Sequence, residues 1–413
     1  MKKGNGRIIA RTVKISDSRL EVRVLEGGTE RVLFFASDQK LWPQKPMNDD
    51  HIAVCLSLYC ANKKKDLFVE GTLTGSVLRN LDEFIKIWSI WRPDLYAQIR
   101  IEATRITGDT PGREKPTVLA YSGGIDAGFA LAVHKSKLFY GSSRDIRLGV
   151  LMIGFDIQEY ETSTLRLAHE GAKRVLDHFN TSCALLSTNW REDFCPDYKT
   201  AYPTGFAGSL HTLVNGYASG MIANSNSSVQ DLRMSPHACH LSVHHLLGSH
   251  TFFIDTPGSA HTRLERLGVI AEYPVIINNL RVCWEALESG INCGVCHKCV
   301  RTRLEMEVYG LNPDIFNSPM KAEHIEQLEF HDYLTLCFLE EIYHALHKKH
   351  PLFETIEKVF ERERKNLEVT GDGLMSELDQ KNGEIRAIKN EIAILKNTKA
   401  YRLAAPLRLF KKN

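Results

Sequence analysis

The sequence predicts an α/β protein: a parallel sheet with helices on both faces, preceded by an α+β module and followed by a helical, coiled-coil-like tail. Three observations carry this. Between Thr117 and Ala223, short apolar runs alternate with stretches of helical spacing, the pattern of successive strand, crossover and strand units. Ahead of that region two alternating runs flank Gly27-Gly28, as in a hairpin, and from about Ala322 to Arg364 the spacing is helical, with a Gly371-Asp372-Gly373 break before a heptad series. The chain has 413 residues, of which 43% are hydrophobic and 25% charged, which excludes a disordered or fibrous class and leaves room for more than one domain.

The expected organisation is an α+β accessory domain over 1–106, a linker over 107–116, the α/β domain over 117–310, a helical extension over 311–370 and a final segment over 371–413. In the first part, Leu20–Val24 and Val32–Phe35 read as the hairpin strands. Asp49 and Asp50 cap an apolar helix reaching Cys60, Leu67–Val69 is a strand, and Leu78–Trp91 has helical spacing through Leu81, Phe84, Ile85 and Trp88. Gly108, Pro111, Gly112 and Pro116 interrupt both periodicities and mark the linker.

In the α/β part, Thr117–Tyr121, Leu148–Phe155, Cys183–Ser187 and Met221–Ala223 read as strands. Ala127–Ser136, Leu165–Phe179 and Leu210–Gly220 read as helices. Ligands of such sheets sit beyond the carboxyl ends of the strands. At the far end, Leu378, Ile385 and Ile392 occupy one heptad core position, and Ile388 and Leu395 the other, with Lys381 interrupting the second series. Residues 374–397 therefore offer a face to a protein partner or another copy of the chain, or form a solvated helix docked on the body. The stretch Lys399–Lys412 mixes bases with apolar residues, as in a tail that touches a membrane surface or a partner, or as in a frayed basic end.

Charge and cysteine usage narrow the function. Lys and Arg number 52 against 50 Asp and Glu, so no global basic field points to nucleic acid as a partner. No signal-peptide core or membrane-spanning run is present, and ten cysteines in that setting read as thiols and metal ligands, so a cytoplasmic protein is expected.

Tyr121-Ser122-Gly123-Gly124-Ile125-Asp126 sits where a buried strand ends and a helix begins. Two glycines there let backbone N–H groups converge on an anion, the helix N-terminus adds its dipole, and Ser122 supplies a hydroxyl. Asp126 is expected to hold Mg²⁺ or to orient a phosphate leaving group. The alternative is a tight strand-to-helix turn without a ligand.

A second constellation is Cys283-x9-Cys293-x2-Cys296-x2-Cys299. Four thiolates, three of them within seven residues, suit one tetrahedral ion; Zn²⁺ is the expected metal, with an iron–sulfur cluster as the alternative. The other six cysteines have no such spacing. His237, His240, His244, His245 and His250 crowd one segment, but without a helix signature they read as surface and pocket-lining histidines.

Ser122 to Asp126 resembles the SGGxDS fingerprint of the PP-loop ATP-pyrophosphatase family (adenine nucleotide alpha hydrolase-like), with Ala127 in place of the final serine. Asn292–Arg301 is similar to the CGxCxxCxxR element of the 7-cyano-7-deazaguanine synthase branch, which has a further cysteine close to the position of Cys283. The likeness covers roughly 117–310. It implies ATP and Mg²⁺ as cofactors, structural Zn²⁺, and adenine against the end of the second strand, where Gly154 and Asp156 stand. It also implies the chemistry: Ser122 and Asp126 as catalytic residues, adenylation of a small-molecule carboxylate, and displacement of AMP by ammonia to give an amide and then a nitrile. The expected substrate is deazapurine-like or a sugar acid, since Thr204–Ser209 and Ser235-Pro236-His237 depart from the branch's substrate motifs. Arg263, Arg266 and Arg281 are candidate triphosphate or substrate contacts. Two other readings stand beside this one: a non-catalytic nucleotide-binding assembly protein in an antiviral or polysaccharide system, and a tRNA-modifying PP-loop enzyme, which the near-neutral charge disfavours.

Overall fold

In the computed structural model the described residues are 6–110, 115–138, 143–233, 237–283, 292–331 and 333–368. The residue 374–397 heptads, the basic tail and linker positions 111–114 lie outside them.

Among the described residues, ten strands form one sheet. The first three, β1 (Ile8–Ser16), β2 (Arg19–Glu26) and β3 (Thr29–Ser37), are antiparallel neighbours. Gly27 and Gly28 join β2 to β3 with φ of 58° and 90°, the left-handed conformation that the tightest hairpin turns require. β4 (Leu67–Thr74) and β5 (Ile101–Thr107) extend the sheet in parallel beyond β1. After the linker come β6 (Thr117–Ala120), β7 (Ile146–Ile153), β8 (Ser182–Thr188), β9 (Ser219–Met221) and β10 (Phe253–Asp255), all parallel to their neighbours within that half.

The order across the sheet is β10-β9-β6-β7-β8-β3-β2-β1-β4-β5. From β10 to β8 this is the doubly wound order 3-2-1-4-5 read from its other edge, with the reversal between β6 and β9. The β6 turn therefore opens at the place where such sheets leave a crevice. The α+β part is joined edge to edge through an antiparallel pairing of β3 with β8, so the sheet runs unbroken from one half into the other.

Helices cover both faces. On one lie α1 (Asp50–Lys63), α2 (Gly75–Trp91) and α5 (Tyr198–His211); on the other, α3 (Ile125–Lys135), α4 (Thr162–His178) and α6 (Arg263–Ala271). Adjacent residues of β6 show the division: Val118 enters the first core and Leu119 the second. The first core spans both halves, joining Val22, Leu33 and Phe35 to Leu56, Val150, Leu186 and Leu210. Around α2, the loops beside the two outermost strands meet: Thr110 N–H donates to Thr251 Oγ1 at 2.9 Å, and Asn80 Nδ2 donates to the Gly248 carbonyl at 2.8 Å.

Two local expectations change. The expected Leu210–Gly220 helix is a turn leading into β9, and the helix instead is α5, starting at Tyr198 and carrying Pro203 inside it. Proline and two glycines conceal it, yet burial explains them. A Cβ on Gly208 would stand 2.2 Å from Cys55 Sγ and 3.0 Å from Cys55 N, so the glycine lets α5 cross close against α1. Asp49 precedes α1 as expected but makes no side-chain cap. Its Oδ2 accepts the Thr72 N–H at 2.9 Å, while Asp50 accepts from the Thr74 N–H and hydroxyl, both at 2.8 Å, tying α1 to β4.

The helical extension comprises a turn at Ala322–Glu326, then α8 (Tyr333–Ala345) and α9 (353–368); α7 (His297–Val308) precedes it. Val300 and Leu304 of α7 join Ile325, Leu339, Ile342, Ile356 and Phe360 in a third core, so the extension packs on the helix that carries the last knot cysteine. Among the described residues no helix is long and apolar enough to cross a membrane.

Candidate functional site

Beyond the carboxyl end of β6 is a cavity of about 110 Å³. Ser122, Gly124, Ile125 and Asp126 of the turn line it, with Asp156 from beyond β7, Arg263 from α6, Arg281, Val282 and Cys283 from the stretch before the knot, and Lys298 from α7. The two motifs thus share one cavity although more than 150 residues separate their ends.

Gly123 has φ of 78° and its carbonyl accepts the Arg281 N–H at 2.9 Å, which docks the Arg281 segment on the turn. Gly124 is the N-cap of α3, with no side-chain cap, and Gly124, Ile125 and Asp126 at this helix start line the cavity. The Ser122 hydroxyl accepts the Gly124 N–H at 3.3 Å. Tyr121, expected among the binding residues, turns its ring into the second core, and Ala127 is buried there too, off the cavity wall.

Asp126 is held by arginines. Arg266 Nη1 donates to its Oδ1 at 2.7 Å, and Arg263 Nη1 stands 3.7 Å from its Oδ2. Both guanidinium groups offset the carboxylate's charge, and Asp126 remains on the cavity wall. Arg266 is fully buried and also donates to the carbonyls of Asn224, Asn226, Gly258 and His261 at 2.6–2.9 Å, stitching the loops after β9 and β10 to α6. It is therefore a structural clamp and not the phosphate contact expected of it. Arg263 and Arg281 do reach the wall.

Gly154 has φ of 86°, but the space its missing side chain leaves is taken by protein: a Cβ there would stand 1.9 Å from the Thr188 carbonyl oxygen. The close approach expected of a ligand is made by the end of β8. Asp156 is on the cavity wall, accepts from the Tyr198 hydroxyl at 3.2 Å, and is not the α4 N-cap, which is Glu161.

Three cations thus face the cavity against two carboxylates, one of them already paired with Arg266. Burial lowers the pKa of Arg281. Burial, with Arg263 nearby, brings Lys298 down to about 8. Arg263 is buried but raised, because its Nε lies 3.1 Å from both carboxylate oxygens of Glu305, with Asp126 adding to the effect. An anion in the cavity relieves the cost of holding these charges out of water.

The four knot cysteines come together as expected. Their Sγ atoms all lie within 4.8 Å of one another, with Cys283 to Cys296 at 3.7 Å and Cys293 to Cys299 at 3.8 Å. Ligands at the usual metal–sulfur length of about 2.3 Å around a tetrahedral ion stand about 3.8 Å apart, so the quartet is close enough to bind a metal ion. Gly294, at φ 87°, makes the bend between Cys293 and Cys296; a Cβ there would stand 2.4 Å from the Ser318 carbonyl oxygen. Hydrogen bonding from Cys299 brings the Cys296 thiol down to about 5.

Among the described residues, the cysteine quartet is the one cluster of His, Cys, Asp or Glu placed to hold a metal. His240 caps the 241–244 turn, with Ser242 N–H donating to its Nδ1 at 3.2 Å, and its ring meets Trp91 edge-on at 5.1 Å. Lys298, Arg301 and Glu305 are the site residues that sequence reasoning left without a role. Their spacing of three and four places them on one face of α7, a signal legible once that helix is known.

No family model matches the chain, and no curated protein or solved structure shows significant similarity to it.

Proposed function

We propose that the chain is a PP-loop enzyme that activates a small-molecule carboxylate with ATP and passes it to ammonia, giving an amide or nitrile on a deazapurine-like or sugar-acid substrate. The observation that carries this reading is the cavity at the strand-order reversal, walled on one side by the glycine turn and on the other by the cysteine knot. In this reading the N–H groups at the start of α3 and the Ser122 hydroxyl bind phosphate oxygens, while Arg263, Arg281 and Lys298 neutralise them. A carboxylate oxygen of the acid attacks the α-phosphorus, the bond to the bridging oxygen breaks, and pyrophosphate leaves with that electron pair. Ammonia then adds to the acyl carbon, AMP departs, and the nitrogen loses a proton to water, giving the amide. A nitrile takes a second ATP: the amide oxygen attacks the α-phosphorus, pyrophosphate leaves, and AMP then departs with that oxygen as the nitrogen gives up two protons to water. Mg²⁺ carried by the nucleotide would meet Asp156, the wall carboxylate without an arginine bond; Asp126 acts through the arginines it orients. Zn²⁺ suits the four-sulfur set and would fix the Cys283 wall and the start of α7, and so the place of Lys298.

The test is release of pyrophosphate and AMP from ATP with ammonia and a panel of heteroaromatic and sugar acids. One acid is expected to give equal amounts of both products, and Lys298→Met to suppress them. No release with any acid, together with no detectable ATP binding, would overturn the proposal.

A further inference from the structure

Arg263 is the first residue of α6, and its backbone is fixed locally. The Thr262 hydroxyl accepts the Glu265 N–H at 3.3 Å, while the Glu265 carboxylate accepts the Thr262 N–H at 2.8 Å, a reciprocal cap. That cap does not set where the guanidinium goes. The side chain is held instead by α7, the helix that leaves the cysteine knot. Arg263 Nε lies 3.1 Å from both carboxylate oxygens of Glu305, and Nη2 donates to the Thr302 hydroxyl at 3.1 Å. Thr302 and Glu305 are three residues apart, on one face of α7, and both are buried. With Nε and Nη2 taken up on α7, Nη1 is the nitrogen left toward the cavity. It stands 3.7 Å from Asp126 Oδ2, beyond hydrogen-bond length. Glu305 meets a second guanidinium on the same helix: Arg301 Nε is 3.7 Å from its Oε1, and Arg301 lies over the ring of Phe338 in α8, 4.1 Å from the centre. A long side chain that a ligand must first order costs affinity; one already held in place does not.

We propose that Glu305 and Thr302 are positioning residues for the cavity: they hold the Arg263 guanidinium so that Nη1 is presented to a bound anion. Through them the helix that follows the knot sets the geometry opposite the glycine turn. The inference rests on the cavity being an anion site, and it gives α7 a part that the cysteine spacing does not contain. It also fixes a sign. A buried carboxylate this near the cavity repels an anion, so if its field were its only influence, neutralising Glu305 would tighten binding. Positioning requires that binding weaken.

The experiment measures binding of inorganic pyrophosphate by calorimetry to the full chain with its metal, with circular dichroism confirming that each variant is folded. Glu305→Gln, which keeps the side-chain volume and one acceptor, is expected to weaken binding about fivefold, and Thr302→Val, which replaces the hydroxyl by a methyl group, about threefold. Thr302→Ser keeps the hydroxyl and loses only packing, so it is expected to bind as the wild type does. In an Arg263→Met background, neither Glu305→Gln nor Thr302→Val is expected to weaken binding further. Tighter or unchanged binding by Glu305→Gln, or a loss of the same size in the Arg263→Met background, would overturn the positioning role while leaving the anion site standing. Should Glu305→Gln fail to fold, the Thr302 pair decides: equal losses in the valine and serine variants, or a loss in neither, would overturn the role. Absence of pyrophosphate binding to the wild type would overturn the anion site, and this inference with it.

Discussion

Replacing Arg266 with methionine tests whether this residue is a clamp or a ligand contact. Methionine retains much of the apolar stem, so the change removes chiefly the guanidinium. Five hydrogen bonds are lost: one to Asp126 at 2.7 Å and four to backbone carbonyls at 2.6–2.9 Å. A hydrogen bond to a charged group contributes about 1.5–3 kcal/mol, but bonds sharing one side chain are not additive. Breaking a buried ion pair from one side costs about 3–5 kcal/mol, which sets the scale for a side chain with no exposed surface. The expected loss is about 4 kcal/mol, a large share of the roughly 5–15 kcal/mol available to a native protein. Equilibrium urea denaturation measures it, with the cysteine metal centre kept loaded. Arg266→Lys restores the charge but has too few donors for five acceptors in a planar arrangement, so about half the loss is expected. A loss below about 1 kcal/mol for Arg266→Met would refute the clamp.

Three further outcomes are expected. Arg281→Met and Lys298→Met should each weaken ATP and pyrophosphate binding about tenfold or more, a phosphate contact contributing at least about 1.5 kcal/mol, with little change in melting temperature; unchanged affinity in both would remove them from the site. Chelation of the metal is expected to lower the melting temperature and weaken pyrophosphate binding together, since Cys283 and Lys298 both line the cavity; elemental analysis showing no bound metal before chelation would contradict this. Asp50 is almost fully buried, and burial raises its carboxyl from 3.8 to about 7, against the two Thr74 bonds that favour its charged form. A raised pKa contributes stability below the unfolded value that is lost as pH rises through the folded one. Relative to Asp50→Asn, the wild type should therefore lose roughly 4 kcal/mol between pH 4 and 8, read from urea midpoints; a flat difference would contradict the assignment.

The elements most legible in the sequence are those whose residues are dictated locally. Gly27-Gly28 demands a tight turn, and the β6 to β8 strands are apolar because both faces of a parallel sheet are covered. The turn at Ser122 and the cysteine spacing are legible for the same reason: small residues and thiols at those separations serve few other ends. Helix α5 was hidden because Pro203 and Gly208 answer to packing against α1 and not to helix propensity. The union of the α+β part with the main sheet was hidden too, since the pairing of Phe35 with Thr188 spans distant parts of the chain and leaves no local periodicity.

By itself the sequence determined the presence of an anion-suited turn, a metal-suited quartet and the alternating order that puts ligands at one end of the sheet. Only the tertiary structure decided what each charged residue does there. Arg263, Arg266 and Arg281 are equivalent as letters, but burial and hydrogen-bond saturation make Arg266 a clamp and leave Arg263 and Arg281 at the cavity. Asp126 and Asp156 separate in the same way, one engaged by guanidinium groups and one on the wall beside Tyr198. Electrostatic roles depend on distances between residues far apart in the chain and on exclusion of water, and neither quantity exists until the chain has folded.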